Sequence, residues 1–410
     1  MTEAGTEARG PAIDIRDERH RADPYPAYAR LREEARVHRV GEANGLQSWR
    51  VNRYDDVREL LGDRRLSKDP RTARRELDRA GIAEQADPLD RTMLSTDPPE
   101  HTRLRRVVSR AFTPRRVDER MRPVVQAITD GLLDEMAPRD EVDLIQALAL
   151  PLPVHVICEL LGVPEGDREQ FRSWFTPDAA PGAREGWWGA GGRYLAGLVA
   201  ERRRTADAGL AEDEQPDLIS ALVTAADDGD RLTEREVVGT LTLLLIAGHE
   251  TTINLLASGM LALFEHPDQL RLLRDRPELA PSAVEELARY TNPVQRGSFR
   301  CAIEDVQIGD VTIPAGAVVS AGIASANRDP RRFADPDRLD IARADNHHLA
   351  FGHGIHFCLG APLARVEGQI AFTSLLRRFP DIALACPLDE VRWRPLGFLR
   401  GLAALPVRLR

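Results

Sequence analysis

The chain has 410 residues, 42% apolar and 30% charged, with 30 glycines and 28 prolines. Those proportions exclude a collagen, a disordered tail protein and a low-complexity array, and they leave ample material for a large core. The formal charge of −9 excludes a protein whose main task is gripping nucleic acid, because phosphate binding needs a net basic footprint.

The first twelve residues, Met1 to Ala12, are expected to form a disordered tail. They lack the basic start and apolar stretch of a secretory signal. Residues 13–410 are read as a single domain. The four cysteines, at 158, 301, 358 and 386, form no CxxC pair, so disulfide scaffolding is not indicated and a reducing, cytoplasmic location is expected. Helical patterns dominate. Asp23 to Arg36 and Asp55 to Leu61 read as helices flanking a strand-like Leu46 to Val51. Pro177 to Gly192 gathers helix breakers around Trp187 and Trp188 and reads as a mobile loop, either a lid or an ordinary variable segment, with an amphipathic run from near Arg193. Arg203 to Asp217, polar and acidic, reads as a second surface loop.

Thr233 followed by Glu236 is a capping box. The helix it starts should run to Pro267, about 30 residues and about 45 Å. Apolar residues cover every face of it from Val237 to Ile246, so it belongs in a core. His249, Glu250, Thr251 and Thr252 interrupt the apolar run, so neither half reaches the roughly 18 unbroken residues of a membrane span, and no membrane anchor is expected. Burying Glu250 beside Thr251 is costly unless partners, water or function compensate. Ala247 and Gly248, two tiny side chains, open space on one face. Close packing of another helix, with Thr251 bonded back one turn, is one reading; proton delivery through water beside a flat ligand is the other. Further on, Val306 to Ile308 and Val311 to Ile313, joined by Gly309-Asp310, read as a hairpin.

The sharpest local signal is Phe351-Gly352-His353-Gly354-Ile355-His356-Phe357-Cys358-Leu359-Gly360-Ala361-Pro362. Glycines let this backbone turn tightly against a flat partner, and Pro362 starts a helix running to Leu376. Cys358 therefore sits near a helix amino end, where a thiolate is favoured and suits the axial position of a haem iron. A buried inert cysteine, a zinc site drawing on His347, His348, His353, His356 and Cys358, and a cysteine nucleophile with a histidine base are the competing readings.

FGHGIHFCLG closely resembles the haem-binding loop of the cytochrome P450 family. AGHETT at Ala247 to Thr252 is similar to that family's oxygen-activating motif, Glu286 with Arg289 to its ExxR, and PDRLD at Pro336 to Asp340 to its arginine-bearing segment. The likeness extends from about Asp23 to the C-terminus, and DPPEHTRLRR from Asp97 resembles soluble actinomycete members that tailor polyketides and macrolides. The resemblance implies a mainly α fold with a small β region, holding haem b between the long central helix and the cysteine loop. Cys358 would be the axial ligand, with Phe351 and Gly360 shaping its loop. Ala247 and Gly248 would leave room for oxygen, and Glu250 and Thr251 would guide protons. His101, Arg105, Arg300 and His356 would bind the propionates. Glu286, Arg289 and Arg338 would form a buried ion network. Met93, Leu94, Leu243, Leu244, Val294 and Phe398 would line the substrate pocket. The implied activity is monooxygenation, by hydroxylation or epoxidation, of a bulky apolar metabolite of polyketide or macrolide type. A steroid, terpenoid or fatty acid substrate, and a haem protein without turnover, are the alternatives. Expected partners are O₂, a ferredoxin docking on the basic run Arg103, Arg106, Arg110, Arg115 and Arg116, and a ferredoxin reductase, with the protein a monomer.

Overall fold

The structure is a computed structural model, which describes residues 18–41, 45–79, 81, 92–173, 183–212, 214–225, 232–395 and 397–410. The expected tail lies outside them. The chain groups into two compact units, one of Met1–Gln85, Ser282–Cys358 and Asp389–Ala403, the other of Ala86–Pro281, Leu359–Leu388 and Ala404–Arg410.

The first unit is built on a five-stranded mixed sheet in the order Val37–Gly41, Gln47–Val51, Val318–Ala321, Arg300–Ala302, Leu66–Ser67. Only Gln47–Val51 with Val318–Ala321 is parallel. Val37, Val51, Val57 and Val319 are all fully buried in its core. The helices Tyr25–Glu34 and Tyr54–Gly62 flank the Gln47–Val51 strand as the sequence predicts. The hairpin falls on the expected residues, with Val306 opposite Ile313 and Gly309 at φ 61°.

Helices make up most of the second unit. Glu234–Glu265, 32 residues long, carries the predicted capping box at Thr233 and Glu236. It is the one described helix long and apolar enough to cross a membrane, and two-thirds of its most apolar window is buried within the protein. Glu236 works twice: it caps the helix and pairs with Arg103 of the helix Glu100–Ala111. Burial opposes the charge, yet the bonds from Thr233 and Arg103 hold this carboxyl below its usual range.

Two expectations need correction. A helix, Ala183–Thr205, begins ten residues before Arg193 and includes Trp187 and Trp188 despite its glycines; residues 174–182 of the expected loop lie outside the described ones. The acidic segment after it is tied down, not loose. Arg116 donates to the carbonyls of Glu212 and Gln215 at 3.0 and 3.1 Å, and Arg120 to those of Glu214 and Gln215 at 3.1 and 2.5 Å. Carbonyls compete well for guanidinium donors, so an acidic composition did not make this loop mobile. The helix bearing Glu286 and Arg289, Ala280–Thr291, follows a turn at Pro277–Leu279.

Candidate functional site

In the second unit the long helix changes character midway. Thr240 to Leu243 are buried and every residue from Thr252 to Leu263 is buried, but Ile246 to Thr251 are partly or fully exposed, Ala247 most of all. The exposed strip coincides with AGHETT. Thr251 donates its hydroxyl proton to the Ala247 carbonyl at 2.6 Å and Thr252 to that of Gly248 at 3.0 Å. Bonding back one turn is thus what Thr251 does, while its oxygen lone pairs stay available. His249 bonds through Nδ1 to the Leu245 carbonyl at 2.6 Å. A Cβ on Gly248 would meet Ile157 at 3.7 Å, an ordinary contact.

In the first unit the cysteine loop is closed by a backbone bond from the Cys358 N–H to the Phe351 carbonyl at 2.8 Å. Gly352 and Gly354 take φ of 77° and 75°, a region open to glycine without penalty. At Gly354 there is a second demand, since a Cβ would lie 3.0 Å from the Leu61 carbonyl and 3.2 Å from the Gly62 Cα, at the end of the helix Tyr54–Gly62. Cys358 is exposed, and so are the large apolar side chains of Ile355 and Phe357 beside it. His356 is half-buried, and Phe351 packs its ring toward His348 and Phe357. In the second unit Gly360 is the N-cap of the helix Ala361–Arg378, with Pro362 in its first turn as predicted.

Glu286 and Arg289 form a bidentate pair at 2.8 and 2.8 Å, both side chains fully buried. The third member is not the expected one. Arg338 is exposed and offers only its carbonyl to Arg289, at 3.3 Å; the guanidinium that reaches both oxygens of Glu286, at 3.2 Å, belongs to Arg343. The Asp340 N–H and Asn346 Nδ2 add bonds at 3.0 and 3.2 Å. The sequence offers two arginines in Arg338-Leu339-Asp340-Ile341-Ala342-Arg343, and spacing alone cannot choose between them. The turn from Asp335 does, by sending Arg338 outward.

His101 and Arg105 lie on one face of Glu100–Ala111. His101 is buried, and burial with Arg105 nearby pushes its imidazole below the usual range, favouring a neutral ring. Arg300 is buried on its strand opposite Val319. Among the pocket residues, Met93 and Leu243 are buried, Leu94, Leu244 and Val294 half-buried, and Phe398 exposed. Val294 and Phe398 share one strip of the first unit: the Gln295 N–H donates to the Phe398 carbonyl at 3.0 Å, and Val294 bridges to Leu399. Of the five docking arginines, Arg103 is engaged with Glu100 and Glu236, Arg116 is buried, Arg115 pairs with Glu119, and Arg106 and Arg110 are exposed on their helix.

These residues fit haem b. In the first unit an exposed thiol flanked by exposed apolar side chains suits a flat apolar ring, and Arg300 and His356 are donor types that carboxylates need; in the second unit Ala247 and Gly248 keep one strip of the long helix free of bulk, and His101 and Arg105 are donors of the same types.

Comparison with known proteins agrees. A family model described as cytochrome P450 matches residues 185–384. The chain is 48% identical over 418 residues to cytochrome P450 monooxygenase PikC of Streptomyces venezuelae, spanning 100% of this chain and 97% of that one. It is 47% identical over 400 residues to cytochrome P450 107B1 of Saccharopolyspora erythraea, spanning 96% of each. The solved structure of the Bacillus subtilis bacillaene polyketide synthase cytochrome P450 PksS superposes with a TM-score of 0.87 at 41% identity, covering 97% of this chain and 99% of that one. The fold and the cysteine motif define a haem-thiolate monooxygenase. The chain belongs to the cytochrome P450 family, whose members bind haem b through a cysteine thiolate.

Proposed function

We propose that Cys358 is the axial ligand of haem b and that the enzyme hydroxylates or epoxidises a bulky apolar secondary metabolite of polyketide or macrolide type. The bound haem supplies the activation of O₂, with two electrons, for insertion of one oxygen atom into the substrate. The observation that carries the reading is the cysteine loop: an exposed thiol beside the exposed Ile355 and Phe357, fixed by the Phe351 bond and by two glycines at positive φ. Polyketide chemistry is supported by PksS, named for a polyketide synthase system, at 41% identity.

In this reading Phe351 and Gly360 shape the loop, and His101, Arg105, Arg300 and His356 bind the propionates. Ala247 and Gly248 leave room for oxygen. Glu250 hands protons inward from solvent and Thr251 holds the water that relays them. Met93, Leu94, Leu243, Leu244, Val294 and Phe398 exclude water and select the substrate. Glu286, Arg289 and Arg343 hold the segment that leads into the cysteine loop. Electrons come from a ferredoxin served by its reductase; its acidic face would meet Arg106 and Arg110. Residues 13–410 act as one catalytic domain of a cytoplasmic monomer. The test is spectroscopic: reduced protein with carbon monoxide should show the red-shifted Soret band of thiolate-ligated haem, and Cys358→Ser should lose it. A wild-type protein without that band refutes the assignment.

A further inference from the structure

A chain of buried amides, outside every motif named above, runs into the cysteine loop of the first unit. Asn327 follows the short helix Ile323–Ala326, is fully buried, and uses both ends of its side chain. Its Oδ1 accepts from the Leu349 N–H at 2.7 Å, and its Nδ2 donates to Oδ1 of Asn292 at 2.5 Å. Its carbonyl accepts from Arg289 at 2.9 Å, which joins it to the Glu286 network. Leu349 passes the constraint on: its carbonyl accepts from the Gly352 N–H at 2.8 Å, one residue past Phe351, whose carbonyl holds Cys358. On the other side Asn292, also fully buried, sits at φ 43° and donates from Nδ2 to the Val294 carbonyl at 2.5 Å. The Asn292 carbonyl accepts from Gln295 at 2.7 Å, and Gln295 is bonded in turn to Phe398 and to the Tyr28 hydroxyl.

We propose that Asn327, paired with Asn292, is a positioning residue that fixes the approach to the Cys358 loop and ties it to the strip bearing Val294 and Phe398. The inference rests on Cys358 being the haem ligand. An amide fits position 327 because the site asks one side chain to accept from Leu349 through one atom and donate to Asn292 through another at once. An apolar residue there strands a buried N–H and a buried carbonyl oxygen, each of which then lacks a partner. Position 292 offers a cleaner probe, since glycine tolerates positive φ and Asn292→Gly removes the side chain without straining the backbone.

The experiment uses holoenzyme in three variants: Asn327→Leu, Asn292→Gly, and, as a control, Cys301→Ala, a buried site of the same unit whose thiol bonds only to the Thr72 and Ala302 carbonyls among the bonds described here. Loss of the red-shifted ferrous–carbon monoxide band is timed in urea well below the unfolding midpoint, and global unfolding is followed separately by tryptophan fluorescence. Asn327→Leu and Asn292→Gly should lose the band about fivefold faster than wild type, the factor that about one hydrogen bond is worth, while Cys301→Ala should not. If Asn327→Leu fails to fold, Asn292→Gly carries the test alone. A wild-type band with variant rates equal to wild type, or lost only together with global structure, overturns the role of the amide pair. A wild type lacking the band overturns instead the ligand assignment beneath it.

Discussion

Glu367 gives the strongest prediction that does not depend on catalysis. It lies in the first half of Ala361–Arg378, is buried, and its Oε2 has no hydrogen-bond partner among the described residues. Burial pushes its carboxyl from 4.5 to about 8. The native protein therefore holds this proton at pH values where the unfolded chain has released it, and stability should fall as pH rises from about 4.5 to about 8, then level off. At about 1.4 kcal/mol per pH unit the whole window is worth about 5 kcal/mol, of which about 3–4 kcal/mol falls between pH 5 and pH 8. Glu367→Gln keeps the shape and removes the titration. Its stability relative to wild type should climb by that amount across the interval, measured by urea unfolding of both proteins with circular dichroism at half-unit pH steps. An offset between the two proteins that is flat with pH would refute the reasoning, since it would mean that the carboxylate finds a partner when it ionises.

The ion network separates two arginines that look alike in sequence. Arg343→Ala should cost about 2–3 kcal/mol through the lost bonds to buried Glu286, whereas Arg338→Ala should stay within about 0.5 kcal/mol, both read by chemical unfolding. Gly162→Ala should cost about 2–4 kcal/mol: Gly162 caps Pro151–Leu161 at φ 72°, and a Cβ there would lie 2.6 Å from Asp217 Oδ2, an atom already bonded to Arg202 at 2.9 Å. Loss of thermal midpoint without loss of helix content elsewhere is the expected signature. Thr251→Ala should leave haem content and substrate-induced spectral shifts intact while electrons are diverted to peroxide; unchanged coupling of electrons to product would remove Thr251 from the proton path.

What the sequence disclosed and what it withheld divide along physical lines. The capping box at Thr233, the hairpin around Gly309 and the helix start at Pro362 are local: a few adjacent residues carry the whole signal, so they were legible without the fold. Cys358, Glu250 and Thr251 stood out as candidates because rare chemistry sits in constrained surroundings, three glycines in one case and an apolar helix in the other. The choice of Arg343 over Arg338 was not legible, since the partner, Glu286, is 57 residues away and only the intervening turn decides which side chain returns to it. Asn327 gave no signal at all. Its importance comes from bonds to Asn292 and Leu349, 35 and 22 residues distant, and a lone asparagine after a short helix looks like an ordinary turn residue. The segment from Pro177 misled because glycine content was read as loop, when helix propensity is a weak prior that packing overrides.

The division of labour proposed for Glu250 and Thr251 gains a direction from the hydrogen bonds of the long helix. A hydroxyl has one proton to give, and Thr251 has committed it to the Ala247 carbonyl at 2.6 Å. What remains is acceptor capacity, so Thr251 can hold a water by accepting from it but cannot donate without first breaking a helix-facing bond. Thr252 is committed in the same way to Gly248 and is buried besides. In the proposed relay Thr251 therefore fixes the position of a water that carries the proton and does not itself donate. The same two bonds give the carbonyls of Ala247 and Gly248 a second donor beside the backbone N–H groups one turn on, the usual way a threonine hydroxyl is accommodated within a helix.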